Sequence, residues 1–101
     1  MYIQAPVIRE VAPLDVRPGL EADFERAFDQ AREVISQSPG FVSLELQRSV
    51  ERPSRYLLLV RWERLEDHTA GFRQGPLYPR WKALLHHFYD PFPTVEHYRP
   101  V

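Results

Sequence analysis

The side chains able to do chemistry in this chain concentrate between Trp62 and Trp81. There His68, Arg73 and Tyr78 combine a group that titrates near neutral pH, a fixed fork of cationic donors and a phenolic hydroxyl. Trp62, Phe72 and Trp81 add flat faces suited to stacking. A base, donors for a developing anion and aromatic walls in one cleft suit the deprotonation of a small aromatic ligand. His68 is the candidate base, Arg73 the candidate partner of an anionic oxygen and Tyr78 a hydroxyl donor. Trp62, Phe72, Trp81, Phe24 and Phe28 are the residues expected to shape the pocket. Each has a plainer reading: His68 as a backbone-bonded residue at a helix start, Arg73 in a surface ion pair with Glu66 or Asp67, the aromatics as core.

The remaining titratable groups point to no second chemistry. His86 and His87 are adjacent on a helical stripe, so their side chains diverge by about 100° and cannot clamp one metal together. His86 and Asp90 have i, i+4 spacing, but Pro91 closes the helix there. His97 shares a strand face with Val95 and Arg99 and reads as a satisfied structural histidine. No metal and no cofactor is expected. Cysteine is absent, which removes disulfides and thiolate sites and fits a reducing compartment. Thirteen basic and fourteen acidic residues give a formal net charge of -1, so neither nucleic acid nor an anionic membrane is favoured. Glycine-rich phosphate loops, Gly-x-Ser-x-Gly elbows and basic aromatic patches are missing from the sequence. Met1 to Arg9 lacks the basic and apolar regions of a signal sequence, and no stretch reaches the roughly 20 apolar residues that span a bilayer. A cytoplasmic location is the expectation.

The elements that must position these residues are marked by periodicity. Val7 to Val16 reads as an extended segment that Pro6, Pro13 and Pro18 confine to an edge or irregular strand. Leu20, Phe24, Ala27, Phe28, Ala31, Val34 and Ile35 form the stripe of an amphipathic helix ending near Gln37, before Pro39-Gly40. Val42, Leu44 and Leu46 alternate with Ser43, Glu45 and Gln47, which predicts a strand buried on one side. Glu51 to Ser54 is a turn. In Tyr56 to Trp62 the even positions fill one face while Leu57 and Leu59 make the other apolar too. Glu63 to Phe72 reads as a short polar helix, Leu77 to Phe88 as a second apolar helical stripe, and Thr94 to Val101 as a final strand after Pro91-Phe92-Pro93.

Strand, helix, strand, strand, helix, strand is the split βαβ order of an α+β, ferredoxin-like βαββαβ domain, here one domain over residues 1–101. It carries a four-stranded antiparallel sheet with both helices on one face. The other sheet face is left apolar and must be covered, most simply by a second copy in a homodimer.

Several short motifs have a family likeness. Val11-Ala12-Pro13-Leu14 precedes Pro18-Gly19, Pro39-Gly40-Phe41 enters the second strand, and Val60-Arg61-Trp62-Glu63 is followed by His68. With Phe72-Arg73 and Tyr78-Pro79-Arg80-Trp81, these resemble the antibiotic biosynthesis monooxygenase (ABM) family of dimeric α+β barrels across nearly the whole chain. The resemblance implies a dimer and a cofactor-independent monooxygenase acting on a small aromatic or polyketide-like phenol. Its alternative is a noncatalytic dimer that binds a small hydrophobic or aromatic molecule. The family's quinone-forming and haem-degrading branches both use an asparagine side chain, and this chain has none. The haem-degrading branch also uses a helical histidine for iron with a tryptophan before it. Aligned on Trp62, those places are taken here by Trp81 and Gly71.

Overall fold

A computed structural model describes residues 7–101; Pro6 and the N-terminal reading over residues 1–6 lie outside it. Alternation of polar and apolar residues gives β1 (Ile8–Asp15), whose even-numbered side chains Glu10, Ala12 and Leu14 are buried. The strand is central, which corrects the edge placement suggested by its prolines. It pairs along its length with β3 (Arg55–Trp62) but with β4 (Glu96–Tyr98) only from Arg9 to Val11. Pro13 therefore sits where no β4 partner asks for its missing N–H.

Helix α1 (Glu21–Ile35) buries Phe24, Phe28, Ala31, Val34 and Ile35, the inward stripe read from its spacing. Gly40, at φ +86°, turns the chain into β2 (Phe41–Arg48). A register shift between Phe41 and Ser43 turns Val42 outward to 46% exposure and gives its expected inward place to Phe41, whose ring meets Trp62 edge-on at 5.9 Å.

The sheet order is β2-β3-β1-β4, with antiparallel pairing throughout. The expected polar helix after β3 is instead one turn of π-helix, Asp67–Phe72, with Asp67, His68 and Phe72 buried. Its mark is the Arg73 N–H donating to the His68 carbonyl, five residues back, at 3.0 Å. Helix α2 (Tyr78–Leu85) starts with a proline in its first turn and runs into a short 3₁₀ turn, His86–Phe88. The last strand is shorter than the Thr94 to Val101 expectation: only Glu96–Tyr98 forms it, paired with Arg9 to Val11 of β1. Both helices lie over the face that carries Tyr56, Leu58, Val60 and Trp62. The opposite face carries Val11, Pro13, Leu57 and Leu59, all half-buried. Among the described residues no helix is long and apolar enough to cross a membrane.

Candidate active site

Between the sheet and α2 lies a cavity of about 380 Å³, within the range of about 300–1,000 Å³ usual for small-molecule sites. Its floor is Glu10, Ala12 and Leu14 of β1 with Leu58 of β3; Phe72, Tyr78, Trp81, His86 and Tyr89 wall it. Phe92, 63% exposed, stands at the rim. His68 and Arg73 lie at one end, where the π turn meets the sheet.

That end is built around a carboxyl. Glu10 is 5% exposed, and its Oε1 accepts the Trp62 Nε1–H at 2.9 Å and faces His68 Nε2 at 3.4 Å. Burial raises the Glu10 pKa to about 7, against the opposing pull of the Trp62 hydrogen bond and the Arg73 charge. Both neighbours address Oε1. His68, 3% exposed, stacks on Trp62 with centroids 5.4 Å apart and the planes at 20°. Its Nδ1 lies 2.7 Å from His97 Nε2. Burial, with the positive Arg73 and His97 beside it, lowers the His68 pKa to about 3. The Glu10–His68 contact is therefore not a fixed ion pair: burial favours the neutral acid and the neutral imidazole. His97 is lowered in the same direction by burial and Arg73, and His86 by burial and Lys82.

Of the residues expected at the site, His68, Phe72, Arg73, Tyr78 and Trp81 line the cavity. The other three lie behind its wall. Trp62 is fully buried and reaches the site through its indole N–H. Phe24 and Phe28 belong to the inward stripe of α1, where Phe24 packs on Tyr56 at 4.8 Å and Phe28 meets the back of Trp81 at 6.1 Å. His68 is buried, and its ring bonds His97 rather than the backbone. Arg73 is not engaged by Asp67, which holds the Arg64 backbone N–H at 3.1 Å and its guanidinium at 3.2 Å. Glu10, His86, Tyr89 and His97 complete the arrangement: in the sequence His86 is weighed only as a metal ligand and His97 only as a structural histidine, and Glu10 and Tyr89 are given no role. For Glu10 a signal existed: it occupies the same inward series as Ala12, Leu14 and Val16, where a carboxylate is out of place. Among the described residues no group of three or more His, Cys, Asp or Glu side chains is arranged to hold a metal ion. Chemically, the arrangement can take a proton from a ligand hydroxyl at Glu10, set the Arg73 charge near the resulting anion and stack its ring against aromatic walls.

Comparison with known proteins agrees with this architecture. The family model described as antibiotic biosynthesis monooxygenase matches residues 7–84. The uncharacterized protein YczJ of Bacillus subtilis (strain 168) is 53% identical over 95 residues, 94% of this chain and 100% of its own length. A heme oxygenase (mycobilin-producing) of Mycobacterium tuberculosis (strain ATCC 25618 / H37Rv) is 30% identical over 71 residues, covering 70% of this chain and 66% of that protein. Among solved structures, a candidate antibiotic biosynthesis monooxygenase from Bordetella bronchiseptica superposes with a TM-score of 0.91 at 38% identity, covering 95% of this chain and 98% of that one.

Proposed function

Because the chain belongs to the antibiotic biosynthesis monooxygenase family, we propose that it is a cofactor-independent monooxygenase that oxidises a small aromatic or polyketide-like phenol in the cavity beside α2. The observation that carries this reading is the buried Glu10 carboxyl, 3.4 Å from His68 at one end of an aromatic-walled cavity. A carboxyl with its pKa near 7 is suited to take a phenolic proton at neutral pH. Arg73 and the Tyr78 hydroxyl are the donors for the phenolate, and Trp81 and Phe72 hold the ring.

The chemistry closes without an external reductant. The phenolate gives one electron to O₂, the phenoxyl radical and superoxide combine at a ring carbon, and the resulting peroxide takes up a proton. Cleavage of the O–O bond with loss of the ring hydrogen then leaves a quinone carbonyl and water. One oxygen atom enters the product and the other leaves as water.

The test is oxygen uptake on a panel of hydroxylated polycyclic phenols, with haem carried beside them. Wild type is expected to consume oxygen with at least one phenol, and Glu10→Gln to lose about 100-fold or more in rate. Melting shifts induced by phenols without any oxygen uptake would instead support a binding protein, and turnover of haem alone would overturn the substrate class.

The same reading includes a homodimer. Val11, Pro13, Leu57 and Leu59 form an apolar centre on the sheet face away from the helices, flanked by Arg9, Arg61, Glu45 and Glu96. Self-complementary pairing of two such faces is the simplest cover.

A further inference from the structure

We propose that a second hollow, on the sheet face away from the helices, is a binding site for a phosphoryl group, free or carried by a small ester, held by Arg9, Arg61 and Arg99. It lies across the sheet from the cavity and does not depend on the oxidation proposed there.

The antiparallel register builds the cluster. Arg9 of β1 stands directly opposite Arg61 of β3 on one side and Tyr98 of β4 on the other, so the three residues form one row across the sheet. Arg99 follows at the end of β4. With Val7 and Pro100 these four residues line a hollow of about 220 Å³. All three arginines are exposed, so the hollow opens to water.

Like charges set opposite each other in neighbouring strands work against the pairing that places them. A carboxylate ordinarily offsets such a charge, and Arg17, Arg26, Arg48, Arg55 and Arg64 each have one. Among the described residues no carboxylate is paired with Arg9, Arg61 or Arg99, and residues 1–6 contain neither aspartate nor glutamate. Glu96, two residues before Tyr98 on the same face, instead accepts the Tyr98 hydroxyl at 3.1 Å. Three positive charges thus line one open hollow without an internal counter-ion.

The lining selects the kind of anion. Guanidiniums hold their N–H donors in a fixed plane that matches adjacent oxygens of a phosphoryl group. A phosphate monoester brings three terminal oxygens and nearly two negative charges, enough for more than one arginine, whereas a carboxylate brings two oxygens and one charge. Because the Tyr98 hydroxyl is engaged by Glu96, recognition falls to the arginines. Val7, Pro100 and the Tyr98 ring add apolar surface beside them, which suits the carbon skeleton of an ester.

Calorimetric titration and thermal unfolding test the site, with glycerol phosphate or inorganic phosphate exchanged for chloride at constant ionic strength. Neither probe has a ring to enter the aromatic cavity. At ten times its Kd the better of the two should raise Tm by about 5 °C or more. Affinity at least about fivefold higher for the ester assigns the site to esters, and equal affinity assigns it to the free ion; both outcomes keep the site. Arg9→Gln and Arg61→Gln should each weaken binding about tenfold or more. Each variant also removes one of two opposed charges, so in chloride both should be at least as stable as wild type, which separates lost binding from lost folding. Wild type whose Tm rises no more in either phosphate than in chloride overturns the site. Binding that survives Arg9→Gln but is lost in Arg73→Gln puts the anion in the cavity and overturns it too. If neither probe binds and Arg9→Gln weakens a sedimenting dimer, the arginines belong to carboxylates of a second copy, and the site is likewise overturned.

Discussion

Glu10 and His68 give the protein a pH dependence whose sign follows from their shifts. The Glu10 pKa is raised, so between its ordinary value of 4.5 and about 7 the folded chain holds a proton that the unfolded chain has lost, and stability falls as pH rises. The His68 pKa is depressed, so between about 3 and 6.5 the unfolded chain holds the extra proton, and stability rises with pH. From pH 4.5 to 6.5 the two slopes cancel, because folded and unfolded forms each keep one proton between these two groups. Across that interval Glu10 and His68 together add no slope, so thermal unfolding should show only the gentle rise toward pH 6.5 that the lowered His97 and His86 contribute, with a fall above it. Glu10→Gln should remove the alkaline loss and stabilise the protein by about 3 kcal/mol at pH 8, while slowing oxygen uptake about 100-fold or more. A variant no more stable than wild type at pH 8 would show that the carboxyl is not held neutral by burial. At this scale the sequence discloses His68, Arg73, Tyr78 and Trp81, which stand within fourteen residues of one another. It conceals the Glu10–Trp62 bond, whose partners are 52 residues apart and meet only through β1–β3 pairing.

At the scale of elements, periodicity identifies α1 and β3 because each buries one regular face. It misplaces Val42, since nothing in an alternating run marks where a bulge inserts its extra residue. It cannot tell a π turn from an α turn either: both bury residues at similar intervals, and the difference is one carbonyl partner. That difference matters, because it is the π turn that seals His68. Gly40 is the joint between α1 and β2. Its φ of +86° disfavours any side chain, and a Cβ there would run into the Asp67 carboxylate that holds the start of the π turn. Gly40→Ala should cost at least about 2 kcal/mol in denaturant unfolding. Gly71→Ala, where an added Cβ comes no closer than 3.7 Å to the Glu66 carbonyl, should change stability by no more than about 1 kcal/mol. Equal effects at the two sites would mean that the joint is not strained.

For the molecule as a whole, the order of elements was legible because six periodic segments separated by Pro and Gly leave few alternatives to a split βαβ arrangement. The far face of the sheet is where sequence and structure bear on assembly together. Leu57 and Leu59, odd positions in a strand whose even positions already fill the core, are half-buried there. Sedimentation at micromolar concentration should report a dimer, and Leu59→Arg should shift it toward monomer by setting a charge in the apolar centre of that face. Wild type that sediments as a monomer would remove the dimer from the proposed function.

Both tryptophans of the chain stand at the cavity: the indole of Trp62 donates to Glu10 and lies flat on His68, and Trp81 forms part of the wall. Native emission is thus a built-in optical gauge. On the proposed function, one fluorophore lies beside the ionising carboxyl and the other beside the ligand, so a stopped-flow trace on unlabelled protein should change on ligand entry and again on ionisation.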